Sequence, residues 1–505
     1  MNMVVNSVKR LKNRPMPLNH PDYKESDVDP LVDQFKYPKI KGQKRQRNKR
    51  LNYDPSFPFL FMFLEEFCIK HKIEMDEQLN TYGEPVDIQA KVEIIEMSPT
   101  GHGGIAIHHE QPVLVPFTCV GDIVNVSVFR DCQMYYKATL MDIISPSPNR
   151  IEAPCKYFGK CGGCQIQYLS YSNQMQYKQS QVIDAFSRLN CLVKVEYPLE
   201  SPKEYSYRTK LTPHYDKPRD LAMKDVPIGF NHSNSRKVLD IEECILISPK
   251  MNAKFTELRS EVHSIENKPV DGATLLLREG INGPWNLDNY DDKTYIITDP
   301  KASLTVTINH ITFTFNANSF FQNNSLILPS FVNFIKSQIN TKYLVDCYCG
   351  VGLFALACAD VVDKVIGVEV AKIFLENAVQ NAIDNNISNC EFIEGQAEVI
   401  FKSIEFESIE TTVIMDPPRK GSSKAFLDQL LDFKPKTIIY VACGLYAQIR
   451  DLRYILNGIW FDYVTNFDKD FRVVRPTYKI RMIQPVDLFP QTNNVENIVI
   501  LELID

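Results

Sequence analysis

The last third of the chain alternates strand and helix signals, and that alternation leaves few folds open. YLVDCYCGVGLFALACA (Tyr343 to Ala359) reads as a strand, a glycine-bearing turn and a helix, and VIGVEV (Val365 to Val370) as a second strand. TTVIM (Thr411 to Met415) runs into Asp416-Pro417-Pro418-Arg419, and TIIYVA (Thr437 to Ala442) delivers Cys443. Strands separated by helices imply a mostly parallel sheet covered on both faces. In such a sheet, ligands sit outside the carboxyl ends of the strands. The residues at those ends are therefore the candidates for chemistry. They are Asp346, Glu369, Asp416 and Cys443, joined by Glu496 after the segment Asp487-Leu-Phe-Pro-Gln-Thr492.

The first turn narrows the ligand. Gly350 and Gly352 allow a tight turn, and Glu369 follows Asp346 by 23 residues, a spacing that suits an acid accepting ribose hydroxyls. The third glycine of a dinucleotide fingerprint is missing, because Ala355 stands there. An acid at the first turn also repels phosphate. Both points favour S-adenosylmethionine, with its ribose and cationic sulfonium, over NAD. A nucleotide-dependent oxidoreductase is the reading they oppose.

With 505 residues the chain is too long for one core, so two to four domains are expected. No apolar run is long enough for a membrane helix, and the N-terminus lacks a signal-peptide pattern. The net charge of −6 gives no global sign of nucleic-acid binding, so any basic surface must be local. Lys36 to Arg50 supplies one such stretch, with eight Lys or Arg and no acid. It reads as a solvated tail, or as an RNA or import contact. Residues 1–82 are expected to be a basic, largely disordered extension. Within them, the apolar stretch from Phe57 is a possible helix.

Residues 83–150 hold five short β-rich runs punctuated by Gly101, Gly103, Gly104 and Gly121. They suggest a five-stranded barrel of the TRAM or oligonucleotide-binding kind. Residues 151–318 are read as a central antiparallel-sheet domain that binds RNA, with a polar helix over Ser170 to Leu189. Arg208 and Lys210 are candidate phosphate contacts. Residues 319–505 form the Rossmann-like domain.

The chain has 13 cysteines and no secretory signal, which points to metal or catalytic use rather than disulfides. Cys347, Cys349, Cys358 and Cys390 read as plain buried residues. Cys155, Cys161 and Cys164 fall in C-x5-C-x2-C spacing, with two glycines between the last pair. They would wrap one metal centre, with Cys244 as the fourth ligand and Cys191 as second choice. Four thiolates suit zinc or an iron–sulfur cluster.

In order and spacing, these segments resemble the RNA uracil-C5-methyltransferases, which make 5-methyluridine in tRNA or ribosomal RNA. The resemblance runs from about Val86 to the end. It rests on the barrel, C-x5-C-G-G-C, Ser319-Phe-Phe-Gln-Asn-Asn324, D-C-Y-C-G-V-G, DPPRKG, the strand-end cysteine and DLFPQT..VE. It implies that Cys443 is the nucleophile and Glu496 the base. Gln322, Tyr348, Glu369 and Asp416 would hold S-adenosylmethionine, with Gln396 a weaker candidate on the adenine side. Cys155, Cys161, Cys164 and Cys244 would bind a 4Fe-4S cluster, with zinc second. It further implies a tRNA substrate methylated at uridine 54, no membrane association, a monomer, and a cytoplasmic or nuclear location. Ribosomal RNA, or a non-catalytic RNA-binding protein, are the alternatives. Three positions depart from the pattern. Ala442-Cys443-Gly444-Leu445 replaces S-C-N-P, Asn494-Val495-Glu496 replaces H-V-E, and Leu353 replaces the asparagine of the first turn.

Uracil C5 is a poor nucleophile. Thiolate addition to C6 makes C5 electron-rich enough to attack a sulfonium methyl, after which a base must remove the C5 proton. One thiolate and one carboxylate suffice, with Arg419 or Arg450 as the cation that stabilises the thiolate. Phe320 and Phe321 are candidates to stack on an extruded base.

Overall fold

The computed structural model describes residues 57–74, 83–101, 103–189, 191–216, 221–233, 235–265, 272–395, 401, 404–458 and 477–504. The basic run Lys36 to Arg50 and Gln396 lie outside the described residues.

Helix α1 (Phe57–His71) precedes strands β1 (Glu84–Glu93), β2 (Glu96–Met97), β3 (Gly104–His108), β4 (Gln111–Val115), β5 (Ile123–Asp131) and β6 (Tyr136–Ser145). The strands form one sheet in the order β1-β5-β6-β4-β3-β2. It has six strands because the first expected run divides at Ile94 and Ile95. Their N–H groups donate to the carbonyls of Asp122 and Ile105, away from any β1–β2 continuation. Val92, Val113, Val124, Val126 and Val128 pack together on one face, while Leu60, Leu64 and Phe67 of α1 cover Ile105, Leu114 and Tyr135.

Helix α2 (Tyr171–Ser187) follows, its N-terminus capped by Ser170, which accepts from the Asn173 N–H. The middle of the chain is not one antiparallel sheet but three small ones. Strands β7 (Lys210–Leu211), β8 (His214–Tyr215), β9 (Gly229–Asn231), β10 (Val238–Asp240), β11 (Ala273–Thr274), β12 (Leu277–Ile281) and β13 (Thr294–Ile297) divide as β10-β9-β8-β11 and β13-β12-β7. The third sheet is the hairpin of β14 (Ser303–Ile308) and β15 (Ile311–Asn316). Helix α3 (Pro249–His263) closes a small core with Ile228, Ile241 and Leu277.

Helix α4 (Leu328–Ser337) leads into the α/β region. There β16 (Tyr343–Cys347), α5 (Leu353–Ala357), β17 (Lys364–Glu369), α6 (Lys372–Asp384), β18 (Cys390–Glu394), β19 (Thr411–Met415), α7 (Lys424–Phe433), β20 (Thr437–Ala442), α8 (Leu445–Asn457), β21 (Tyr478–Val486) and β22 (Glu496–Leu503) alternate. Seven strands run β18-β17-β16-β19-β20-β22-β21, parallel through β20, with β22 inserted antiparallel between β20 and β21. Consecutive residues face opposite sides, as the two-residue period of a strand requires. Leu344, Ile414 and Ile439 join a core with α4, α5 and the β14–β15 hairpin. Val345, Val413 and Ile438 join a second core with α7, α8 and the Val182, Ala185 and Phe186 face of α2. Every residue of β19 and β20 is buried, because helices cover both faces of a parallel sheet. Helix α2 thus belongs to the same core as the C-terminal sheet. Among the described residues, no helix is long and apolar enough to cross a membrane.

Candidate active site

The strand register brings the candidate residues to one edge. Residues 347 and 415 are neighbours across β16 and β19, so Tyr348 and Asp416 leave the sheet side by side. In the antiparallel β20–β22 ladder the last pair is Ala442↔Asn497, so the next residues outward, Cys443 and Glu496, face each other. Gln448 fastens this end. Its Nε2 donates to the carbonyls of Tyr440 and Asn497, and the Asn497 amide donates back to its Oε1. Glu496 is 1% exposed and Cys443 is half-buried, so neither is a surface carboxylate or a core cysteine. Asp416 caps no helix; Ser423 caps α7.

The site is acidic. Burial and the charge of Asp416 hold the Glu496 carboxyl well above the usual carboxylate range, with Arg419 opposing. Burial raises Asp416 as well. Burial, then the charges of Glu496 and Asp416, push the Cys443 thiol up to about 12, while Arg419 pulls it down through its charge and a hydrogen bond. Arg419 is therefore the cation that faces the thiol. Arg450 is committed elsewhere: its guanidinium donates to the buried Asp451 carboxylate and to the Ser422 carbonyl. Gly444 explains how Arg419 comes so close. A Cβ at position 444 would lie 2.4 Å from the Arg419 carbonyl oxygen, so glycine there lets the 416–421 turn pack onto the cysteine loop.

The turns after β16 and β17 are built around Asp346 and Glu369. One oxygen of the fully buried Asp346 carboxylate accepts from the Ala355 N–H at 2.8 Å, and the other has no protein partner. Burial and the charges of Asp416 and Glu369 raise its pKa. Glu369 accepts from the Gly350 and Ala371 N–H groups at 3.1 and 2.8 Å, which ties the two turns together. Tyr348 adopts φ +65°, a strained value for a non-glycine residue that functional turns often hold. Gln322 is buried in the loop after β15. Of the two adjacent phenylalanines, Phe321 stacks on Phe315 in the core, while Phe320 is 65% exposed.

A family model described as tRNA (Uracil-5-)-methyltransferase matches residues 292–503. A relative from Schizosaccharomyces pombe, a tRNA (uracil(54)-C(5))-methyltransferase, is 38% identical over 431 residues, covering 82% of this chain and 78% of its own. The chain belongs to the tRNA (uracil-5-)-methyltransferase family. A second member, the tRNA (uracil(54)-C(5))-methyltransferase of Saccharomyces cerevisiae, is 32% identical over 486 residues, covering 82% of this chain and 73% of its own. The solved structure of Pyrococcus abyssi tRNA (uracil-54, C5)-methyltransferase in complex with S-adenosyl-L-homocysteine shares the fold. Its TM-score is 0.60 at 22% identity, over 82% of this chain and 100% of that one.

Two features of this family member were read from its sequence only in outline. Cys155, Cys161, Cys164 and Cys244 converge: burial first, then the charges of Cys244, Cys161 and Cys155, raise Cys164. Cys191 packs beside Val193 against the α2–α7–α8 core and takes no part. Among the described residues, no group of three or more His, Cys, Asp or Glu side chains is arranged to hold a metal ion, so the expected ligated centre is not shown. Arg208 and Lys210 do not lie on a simple solvated strand. Lys210 stands directly across from the buried Arg278, and its Nζ donates to the Asn318 carbonyl beside the Gln322 loop. Burial, then the charges of Arg278 and Arg208, lower Lys210, and burial, then the charge of Arg208, lowers Arg278.

Proposed function

We propose that this protein transfers a methyl group from S-adenosylmethionine to C5 of uridine 54 in tRNA, with Cys443 as covalent nucleophile and Glu496 as base. The facing of Cys443 and Glu496 across the open end of β20 and β22 carries the reading. The family relatives supply the substrate.

Each residue has a distinct task. Cys443 Sγ adds to C6 of the extruded uracil, and the π pair of the C5–C6 double bond moves into an enolate. C5 then attacks the sulfonium methyl, and S-adenosylhomocysteine leaves. Glu496 removes the C5 proton, the C5–C6 double bond re-forms, and the C6–S bond breaks to expel the Cys443 thiolate. Arg419 favours the thiolate, and its hydrogen bond aims the sulfur. Tyr348, Glu369, Asp416 and Gln322 would hold the donor; the buried free oxygen of Asp346 is an acceptor still to be satisfied at the same turn. Unmodified tRNA incubated with labelled S-adenosylmethionine is expected to gain label at uridine 54. Label appearing only in ribosomal RNA, or in no RNA, would refute the assignment.

The six-stranded N-terminal sheet is read as a TRAM-like barrel that grips RNA. Its 98–101 loop reaches the catalytic elements. Tyr446, just after Cys443, donates to the Pro99 carbonyl, and the Asn493 side chain donates to the Gly101 carbonyl. Cys155, Cys161, Cys164 and Cys244 are the residues that would bind a 4Fe-4S cluster or zinc, in a structural role apart from the reaction. What supports this is their packing: Cys161 and Cys244 share the small middle core, and Cys164 and Cys244 the larger one. Protein purified without oxygen is expected to carry about one cluster, or one zinc, per chain, and Cys161→Ser to lose it. Metal-free wild type would exclude the centre.

A further inference from the structure

One face of α2 carries buried polar residues that the proposed chemistry does not use. Tyr171, Gln174 and Lys178 are spaced three and four apart, so they form one stripe along the helix. Gln174 and Lys178 are buried, and all three address the connection between β21 and β22. Lys178 Nζ donates to an Asp487 carboxylate oxygen and, at 3.0 Å, to the Phe489 carbonyl. Tyr171 Oη donates to the other Asp487 oxygen at 2.9 Å. Gln174 and Gln491 form a reciprocal pair: the Gln174 amide donates to Gln491 Oε1 at 2.9 Å, and the Gln491 N–H donates to Gln174 Oε1 at 3.0 Å.

Other residues complete the hold. Asn324 donates to the Leu488 carbonyl, Tyr207 to the Pro490 carbonyl, and the N–H groups of Gln165 and Ile166 to the Gln491 carbonyl. Every residue from Asp487 to Gln491 is thus bonded to a residue outside the seven-stranded sheet. Gln491 is held at φ +70°, a left-handed conformation that a non-glycine side chain keeps only when its surroundings impose it.

This connection ends at Glu496. The closing pair of the β21–β22 ladder is Val486↔Glu496, so the path of residues 487–495 sets where the carboxyl enters the site. A buried ion pair such as Lys178–Asp487 is a poor source of stability compared with apolar packing, but it is strongly directional. We propose that Gln174 and Lys178 are positioning residues for Glu496: they fix the 487–492 segment so that the carboxyl at its exit faces Cys443. The proposal rests on the reading of Glu496 as the base.

The test separates addition from proton removal. A 5-fluorouridine tRNA is trapped after methyl transfer, because fluorine cannot be removed as a proton; trapping therefore needs Cys443 and the donor but not a correctly placed Glu496. Three variants of the full chain are compared: Gln174→Leu, Lys178→Met, and Lys178→Met with Asp487→Leu, which leaves no lone buried charge if the single change fails to fold. The expected result is a kcat on natural tRNA lowered by about 10- to 100-fold, the scale of a small misplacement of a catalytic group. The KM for S-adenosylmethionine and the rate of fluorouridine trapping stay near wild type, and a covalent protein–RNA adduct builds up on natural uridine. Wild-type kcat without adduct in folded variants would overturn the proposal. An equal fall in kcat and trapping would also overturn it, because the residues would then act on the whole fold. The control is Glu496→Gln. If that variant turns over natural tRNA normally, the reading of Glu496 as base fails, independently of the α2 variants.

Discussion

Replacing Cys443 with alanine is expected to lower tRNA methylation by about 10⁴-fold or more, the order seen when a covalent nucleophile is removed. It is also expected to abolish trapping on 5-fluorouridine tRNA. The loss falls on kcat, since Cys443 contributes to a bond present only after binding. Folding should survive, because the side chain is half-buried at a strand end and alanine leaves only a small space. The surroundings of the thiol add a second signature. Its pKa is pushed up to about 12 by burial and by Glu496 and Asp416, so at neutral pH only a small fraction is thiolate. Below that pKa the thiolate fraction grows about tenfold per pH unit, so the wild-type trapping rate should climb with that slope from about pH 7 to 9. Arg419→Gln removes a neighbouring charge that lowers the thiol pKa, so it should reduce trapping across that range. Methylation by Cys443→Ala at a rate comparable to wild type would show that another group attacks C6.

The parts of this site that were legible in the sequence depend on short-range pattern. TTVIM and TIIYVA are β-branched runs bounded by turns, and both form fully buried strands over the expected residues. Asp416 and Cys443 follow them directly, so their place at the carboxyl edge was readable. That Cys443 faces Glu496 was not, because it depends on β22 entering antiparallel between β20 and β21, which no local signal specifies. The choice between Arg419 and Arg450 turned on Asp451, a buried acid one residue from Arg450 that claims its guanidinium. Helix α2 reads in sequence as a polar helix and no more, yet Gln174 and Lys178 are buried because their partners, Asp487 and Gln491, arrive from the far end of the chain. Alternation of polar and apolar residues reports which face is wet only when the polar face has no tertiary partner.

Replacing Glu496 with glutamine is expected to stop the reaction one step later, and so to separate two halves of the chemistry. Glutamine keeps the size and can still hydrogen-bond, but it cannot take the C5 proton. Addition by Cys443 and methyl transfer should proceed. They should not slow, because Glu496 is among the charges that raise the Cys443 thiol. The methylated adduct then has no way to re-form the C5–C6 double bond and expel the cysteine. Multiple-turnover methylation should fall by about 10²- to 10⁴-fold, the usual contribution of a general base. A denaturation-resistant protein–RNA complex should accumulate on natural, unfluorinated tRNA, with the methyl label retained in it. Aspartate at 496 keeps the charge but shortens the reach; it should accumulate less complex and turn over slowly. Loss of turnover in Glu496→Gln without any such complex would mean that this carboxyl acts before or during thiol addition. The acidic neighbourhood of Glu496 and Asp416 would then serve to take the thiol proton rather than the C5 proton.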